Sequence, residues 1–261
     1  MSDIFDISGR LAVVVGAAGG IGRAIAEGLA EAGAMTIWAD KNENAIKEGA
    51  RESNALGHLA QYRVIDVLDN IAIEELATEF EDAHILVVTP AILVRKTLSD
   101  QSEDDFDRQV ALNLKSTFLI TRAFGDKMAK RGRGSIVGFS SVRASLAEAG
   151  SGVYAMTKAG VEQLLRTLAA ELGPQGVRVN MIAPSPVDTP LTADVRARAD
   201  WYDQVTSRSM LRRWATPSDF VGPALLLASD ASSFMTGAIL AVDGGWTATD
   251  GLSRVPNSES G

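Results

Sequence analysis

"VVVGAAGGIGRAIAEGLAEAG", residues 13–33, runs without interruption from β-branched residues through glycines into an apolar repeat. The valines read as the end of a buried strand. Ile21, Ile25, Gly28, Leu29 and Ala32 then recur at helical spacing, and Gly33 closes the helix. Gly16, Gly20 and Gly22 stand between the two elements. Glycines there permit a tight turn and let a pyrophosphate approach the helix N-terminus, where unpaired N–H groups and the helix dipole favour an anion. A glycine cluster alone also serves ordinary turns. The strand–loop–helix context, with "WAD" (38–40) closing the next strand, narrows the reading to a dinucleotide site. Asp40 lies 18 residues beyond Gly22, where a carboxylate accepts hydrogen bonds from an adenosine ribose. It would repel a 2′-phosphate, so NAD is expected over NADP, and Lys41 next door softens the preference without reversing it.

The same alternation continues outward. "LAVVV" (11–15), "MTIWA" (35–39), "LAQYRVI" (59–65), "ILVV" (85–88), "SIVGFS" (135–140), "VRVNMIA" (177–183) and "AILAV" (238–242) read as strands, the third more mixed than the rest. Val161, Leu164, Leu165, Leu168 and Leu172 mark a strongly amphipathic helix late in the chain. Strands alternating with helices imply an α/β fold: one doubly wound domain over 1–250, with a seven-stranded parallel sheet and about six helices on its two faces. Residues 184–217 lack strand patterning and hold four prolines, as a lid does. The tail 251–261 is polar and rich in glycine and serine, which predicts mobility.

Composition closes off other classes. A net charge of −8 leaves no basic surplus for a nucleic-acid backbone. With no cysteine and only His58 and His84, a metal centre is not expected. The first residues lack signal-peptide character, and no apolar run approaches the ~20 residues that span a bilayer. A cytoplasmic protein is expected.

"VYAMTK" (153–158) sets Tyr154 and Lys158 one helical turn apart on one face. A phenol titrates near pH ~10, so a tyrosine that exchanges protons near neutrality needs a cation beside its oxygen. By itself the pair reads more readily as an inert surface contact.

With the glycine loop, Asp40 and this Tyr-x-x-x-Lys in place, the chain resembles the short-chain dehydrogenase/reductase family over roughly residues 8–247. The resemblance implies a Rossmann fold and an NAD-dependent oxidoreductase acting on CH–OH groups. Ser141 stands thirteen residues before Tyr154, and Asn113 in "ALNLKSTF" (111–118) falls where the family keeps an asparagine. Implied catalytic residues are therefore Asn113, Ser141, Tyr154 and Lys158. Tyr154 is the base, Lys158 lowers its pKa and binds ribose, Ser141 aligns the substrate oxygen, and Asn113 holds a water. Implied cofactor contacts are Gly16, Gly20, Ile21, Gly22, Asp40, Asp66 and Val67 of "VIDV" (64–67), Ala91, Tyr154, Lys158, and Val187 and Thr189 of "IAPSPVDTPL" (182–191). The family commonly forms homotetramers, so helices near 103–131 and 153–173 are expected to pair between copies.

The chain departs from the family at "VTPA" (88–91), where Asn-Asn-Ala-Gly is usual, and at Ser185, where glycine is usual. Thr89 is expected to supply at most one polar replacement, and Ala91 to crowd the cofactor slightly. The flanking sequences look most like members acting on sugar acids and polyols, such as gluconate 5-dehydrogenases and galactitol dehydrogenases. Arg95 and Arg143 are candidate substrate contacts, because a guanidinium can clamp a carboxylate. Arg196, Arg198, Arg208, Arg212 and Arg213 of the lid read mostly as a solvated face. Trp201, Tyr202 and Trp214 are candidate apolar walls, and Met156 reads as core. Two alternatives stand beside this reading: a carbonyl reductase of the 3-oxoacyl-thioester type, and a non-catalytic nucleotide sensor or scaffold.

Overall fold

Along β1 (Leu11–Val15), Ala12 and Val14 face one apolar layer while Val13 and Val15 face the other. A strand buried on both faces has no polar side to alternate with, which is why it reads as a continuous apolar run. The same holds for β4 (Ile85–Val88), where Leu86 and Val88 oppose Ile85 and Val87. In the computed structural model, which describes residues 4–250, these strands lie in a seven-stranded parallel sheet. The others are β2 (Met35–Asp40), β3 (Ala60–Val64), β5 (Gly134–Phe139), β6 (Val177–Pro184) and β7 (Ile239–Val242), and the order is β3-β2-β1-β4-β5-β6-β7. Each expected strand is present to within a residue or so at its ends. The mixed third segment is an edge strand with a single neighbour, so it keeps less apolar sequence than the centre. The tail 251–261 lies outside the described residues.

One face of the sheet is covered by α1 (Gly20–Glu31), α2 (Glu43–Ala55) and α9 (Val221–Ala228), through residues such as Ile25, Leu29, Ile46 and Leu227. The other carries α3 (Asn70–Glu79), α5 (Ser116–Lys130) and α6 (Gly152–Leu172), through Ile73, Phe124, Val161 and Leu165. A capped α4 (Glu103–Gln109) runs into α5 through a wide π-helical turn, Val110–Lys115. Two short helices, α7 (Ala193–Arg196) and α8 (Ala199–Arg208), raise the number above the six expected. Both belong to the 184–217 segment, which beyond the end of β6 holds no strand, only an isolated bridge between Val187 and Ala215. Val205 and Trp214 fasten this segment to Val142 and Trp246. Met156 is exposed rather than core, because it sits on the outward side of α6. Among the described residues, no helix is long and apolar enough to cross a membrane.

Register positions the site. Val15 pairs with Ala39 on one side and Val88 on the other, and Val88 pairs with Gly138. The residues that follow, Gly16, Asp40, Thr89 and Phe139, therefore emerge at one level along the carboxyl edge. The strand order reverses between β1 and β4, and a crevice opens there.

Candidate active site

A cavity of about 760 Å³ fills that crevice, and Gly16, Gly20, Ile21 and Gly22 form one wall of it. Gly16 has φ +89°, in the left-handed region, and a Cβ on it would collide with the Thr89 hydroxyl. Helix α1 starts from Gly19 with no side-chain cap and no acidic residue in its first turn, so its leading N–H groups are left for an anion. Asp40 stands at the rim, accepting from the N–H of Ala18 (3.3 Å) and of Asn42 (3.0 Å). Asp66 accepts from the Leu68 N–H (2.9 Å), which turns the chain so that Asp66 and Val67 both line the cavity. Ala91, Val187 and Thr189 line it further along. A close-approach glycine turn, an uncapped helix start and a carboxylate beyond it are what a dinucleotide requires, so the residues fit the expected cofactor.

Thr89 does more than expected. Its hydroxyl lies 2.9 Å from the Val15 carbonyl and 3.3 Å from that of Gly16, while its N–H donates to Val15 (3.0 Å). The end of β4 is thereby tied to the start of the glycine turn.

Tyr154 and Lys158 project from the first turns of α6, both buried, and Ser141 lies at the end of the β5 loop beside the phenol. Lys158 Nζ donates to the Phe139 carbonyl (2.8 Å) and lies 5.8 Å from the centre of the Tyr154 ring. Burial pushes the Lys158 ammonium down to about 8. Burial also pushes the Tyr154 phenol up, opposed by the hydrogen bond with Ser141 and by the guanidiniums of Arg143 and Arg95. The guanidiniums of Arg143 and Arg95 thus join Lys158 as cations near the phenol, two that the sequence reading did not assign to it.

Asn113 does not line the cavity. It is fully buried in the π-helical turn, where its amide accepts from the Ile92 N–H (2.8 Å) and donates to the Ile92 carbonyl (2.9 Å) and the Thr157 hydroxyl (3.1 Å). The side chain braces the loop after β4 against α6. With both amide hydrogens committed, the water-holding role expected of Asn113 does not fall to that NH₂ group.

Arg95 and Arg143 both reach the cavity wall and converge on one residue the sequence reading missed. Arg95 donates to one carboxylate oxygen of Glu148 (2.8 Å) and Arg143 to the other (2.6 Å). Arg95 lies over the Trp201 ring, and Arg143 over Trp246, also missed. Trp201 and Trp214 line the cavity as expected; Tyr202 instead stacks on Trp214 at 5.9 Å. The lid arginines are spent elsewhere: Arg196 on Asp188, Arg198 on Asp200, Arg213 on Asp219, Arg212 on the Ser207 carbonyl, and Arg208 against Trp246.

Residues 16–247 match the sequence profile of a family described as enoyl-(acyl carrier protein) reductase. A 2-dehydro-3-deoxy-D-gluconate 5-dehydrogenase from Pseudoalteromonas atlantica is 36% identical, the match covering 94% of this chain and 99% of the relative. The chain is a short-chain dehydrogenase/reductase. It is an enzyme, an oxidoreductase acting on CH–OH groups. A galactitol 2-dehydrogenase from Cereibacter sphaeroides is 37% identical over 94% of this dehydrogenase and 97% of the relative. Among solved structures, a gluconate 5-dehydrogenase from Burkholderia cenocepacia, in complex with NADP and tartrate, has a TM-score of 0.90 at 33% identity. That likeness covers 95% of this dehydrogenase and 98% of the other chain.

Proposed function

We propose that this dehydrogenase oxidises a secondary hydroxyl of a polyhydroxy compound carrying a carboxylate, of the sugar-acid kind, with NAD. The observation that carries the reading is the pair of guanidiniums, Arg95 and Arg143, in the cavity wall beside Tyr154 and Ser141. A substrate carboxylate there gains charge-assisted hydrogen bonds, each worth ~1.5–3 kcal/mol, that a neutral alcohol does not. The names of the similar proteins, several of them gluconate dehydrogenases, support the same substrate class.

Ser141 holds the substrate oxygen, and Tyr154 takes the hydroxyl proton as the carbonyl forms. When bound, the nicotinamide supplies the acceptor for the hydrogen leaving carbon with its electron pair. Lys158 keeps a positive charge close to the phenolate at neutral pH, since its ammonium persists up to about 8. In the reducing direction Tyr154 returns the proton. Asp40 favours NAD because a 2′-phosphate would meet its carboxylate; the NADP held by the Burkholderia relative belongs to that protein. The two guanidiniums beside Tyr154 favour an anionic substrate over a neutral acyl chain, so the 3-oxoacyl-thioester alternative is the weaker one.

Exposed Phe106 and Phe118 on α4–α5 and Met156 on α6 support a homotetramer assembled through these helices. Sedimentation at micromolar concentration tests it, and a monomer refutes it. The reaction is tested by initial rates with NAD and NADP against sugar acids, the matching neutral polyols and 3-oxoacyl thioesters. Fastest turnover of a sugar acid with NAD is expected, and equal or faster turnover of polyols or thioesters overturns the reading.

A further inference from the structure

Glu148 sits between two cations at the wall of the cavity, although nothing in the dehydrogenation just described uses it. Its side chain is 13% exposed, and each of its oxygens takes one guanidinium, Arg95 from the loop after β4 and Arg143 from the loop after β5. The backbone holds it there. The Glu148 carbonyl accepts from the Ser151 N–H (3.2 Å) and hydroxyl (3.1 Å), and the Gly150 carbonyl accepts from Lys96 N–H (3.1 Å). The last of these ties the Glu148 loop to the loop after β4 that carries Arg95. Each guanidinium commits one nitrogen to Glu148, and arginine has five N–H donors, so both remain able to hold a ligand.

Within the Arg95–Glu148–Arg143 cluster two guanidiniums meet one carboxylate, so the cluster carries one net positive charge; Arg208, which shares the Trp246 ring with Arg143, lies outside the cavity lining. Burial lowers the pKa of Arg143, with Glu148 opposing the shift and Arg95 and Arg208 adding to it. A ligand with one carboxylate neutralises the cluster. A second carboxylate on the ligand adds a negative charge that the cluster does not compensate and that the Glu148 charge opposes, and a neutral ligand leaves the cluster's charge unpaired. We propose that Glu148 is the specificity-determining residue of this site, holding the Arg95–Arg143 cluster to a single positive charge and so selecting a polyhydroxy monocarboxylate over both its dicarboxylate and its neutral counterpart. The inference rests on the sugar-acid reading above and assigns the count of charges on the substrate.

Gluconate, glucarate and glucitol share one six-carbon chain with one, two and no carboxylates, and they serve as probes. Their binding to the NADH-loaded enzyme is measured by calorimetry, and kcat/KM is measured separately. The wild-type enzyme is expected to bind gluconate at least about tenfold more tightly than either counterpart, the worth of one charge-assisted contact. Glu148→Gln is expected to improve glucarate relative to gluconate by about tenfold or more while glucitol stays within about twofold. Glu148→Asp, which keeps the charge, restores the wild-type order and controls for folding.

The groups facing Tyr154 are Ser141, Arg143, Arg95 and Glu148, with Lys158 one turn along α6. Because the Glu148 carboxylate opposes ionisation of the phenol, Glu148→Gln also moves the acid limb of kcat/KM to lower pH. A merely structural role would move all three ligands together and leave the pH profile in place; that result overturns the proposal, as does tighter binding of glucarate by the wild-type enzyme. The arms separate the two readings. Ranked binding without turnover of gluconate fails the proposed reaction alone, and turnover without ranking fails the role of Glu148 alone.

Discussion

Replacing Lys158 by methionine should abolish efficient turnover and yet stabilise the fold near neutral pH. The buried ammonium is the reason. Its pKa falls from an ordinary value of 10.5 to about 8 because the protein interior solvates the charge poorly. Between those values the unfolded chain binds a proton that the folded chain does not, so stability rises with pH across that window. Below about pH 8 the full cost of the buried charge is present, about 3 kcal/mol at ~1.4 kcal/mol per pH unit. Methionine matches the chain length without the charge but leaves the Phe139 carbonyl without its donor, a loss of about 1–2 kcal/mol. Lys158→Met should therefore be more stable than wild type by about 1–2 kcal/mol at pH 7, or roughly 2–8 °C in Tm for a chain of this size. The advantage should shrink steadily and be gone by about pH 10. Urea unfolding of both proteins at pH 7, 8.5 and 10 measures it. The series stops at pH 10 because Tyr154, whose pKa burial raises, binds a proton more tightly when folded and contributes with the opposite sign above that point. A stability gap that stays constant, or grows, from pH 7 to pH 10 refutes the reasoning.

Tyr154→Phe should lower kcat by ~10²-fold or more while NADH affinity, read by fluorescence, stays within about threefold, because only the proton-carrying oxygen is lost. Thr89→Val should raise the KM for the cofactor by roughly five- to thirtyfold through the loss of about 1–2 kcal/mol of hydrogen bonding at the glycine turn, and Thr89→Ser should restore it. Asp40→Ala should reduce a preference for NAD of about tenfold toward parity in paired kcat/KM measurements.

The sheet was legible because its evidence is local: β-branched runs of strand length, a glycine turn between β1 and α1, and a Tyr-Lys pair one helical turn apart. Burial on both faces makes the central strands unambiguous, and the mixed pattern at 59–65 matches the partly exposed β3 at one sheet edge. The wall of the cavity was half legible. Arg95 and Arg143 follow strands whose ends meet, so register alone brings them near each other. Glu148 was not foreseen because its partner Arg95 is 53 residues away, across a loop with no periodicity to project. Trp246 escaped for the same reason. Asn113 was placed correctly in its helix, but the π-helical turn that points its amide at Ile92 leaves no mark in a sequence of ordinary helix formers. Met156 was misread because helical spacing tells which residues share a face, not which face has a neighbour.

The Thr89 hydroxyl occupies the gap between two glycines of the turn: a Cβ on Gly16 would strike it, and one on Gly22 would lie 2.7 Å away. Pro90 closes the same gap, its Cδ 3.1 Å from the Cβ position of Gly16. Asparagine, usual in the family here, brings one more heavy atom than threonine into that space. Threonine fills that space with a methyl and a hydroxyl, and the hydroxyl's contacts with the Val15 and Gly16 carbonyls hold the turn to the strand end. Residues 16, 22, 89 and 90 therefore set one gauge for the turn's width, since a Cβ at either glycine would come within 2.7 Å of the Thr89 hydroxyl.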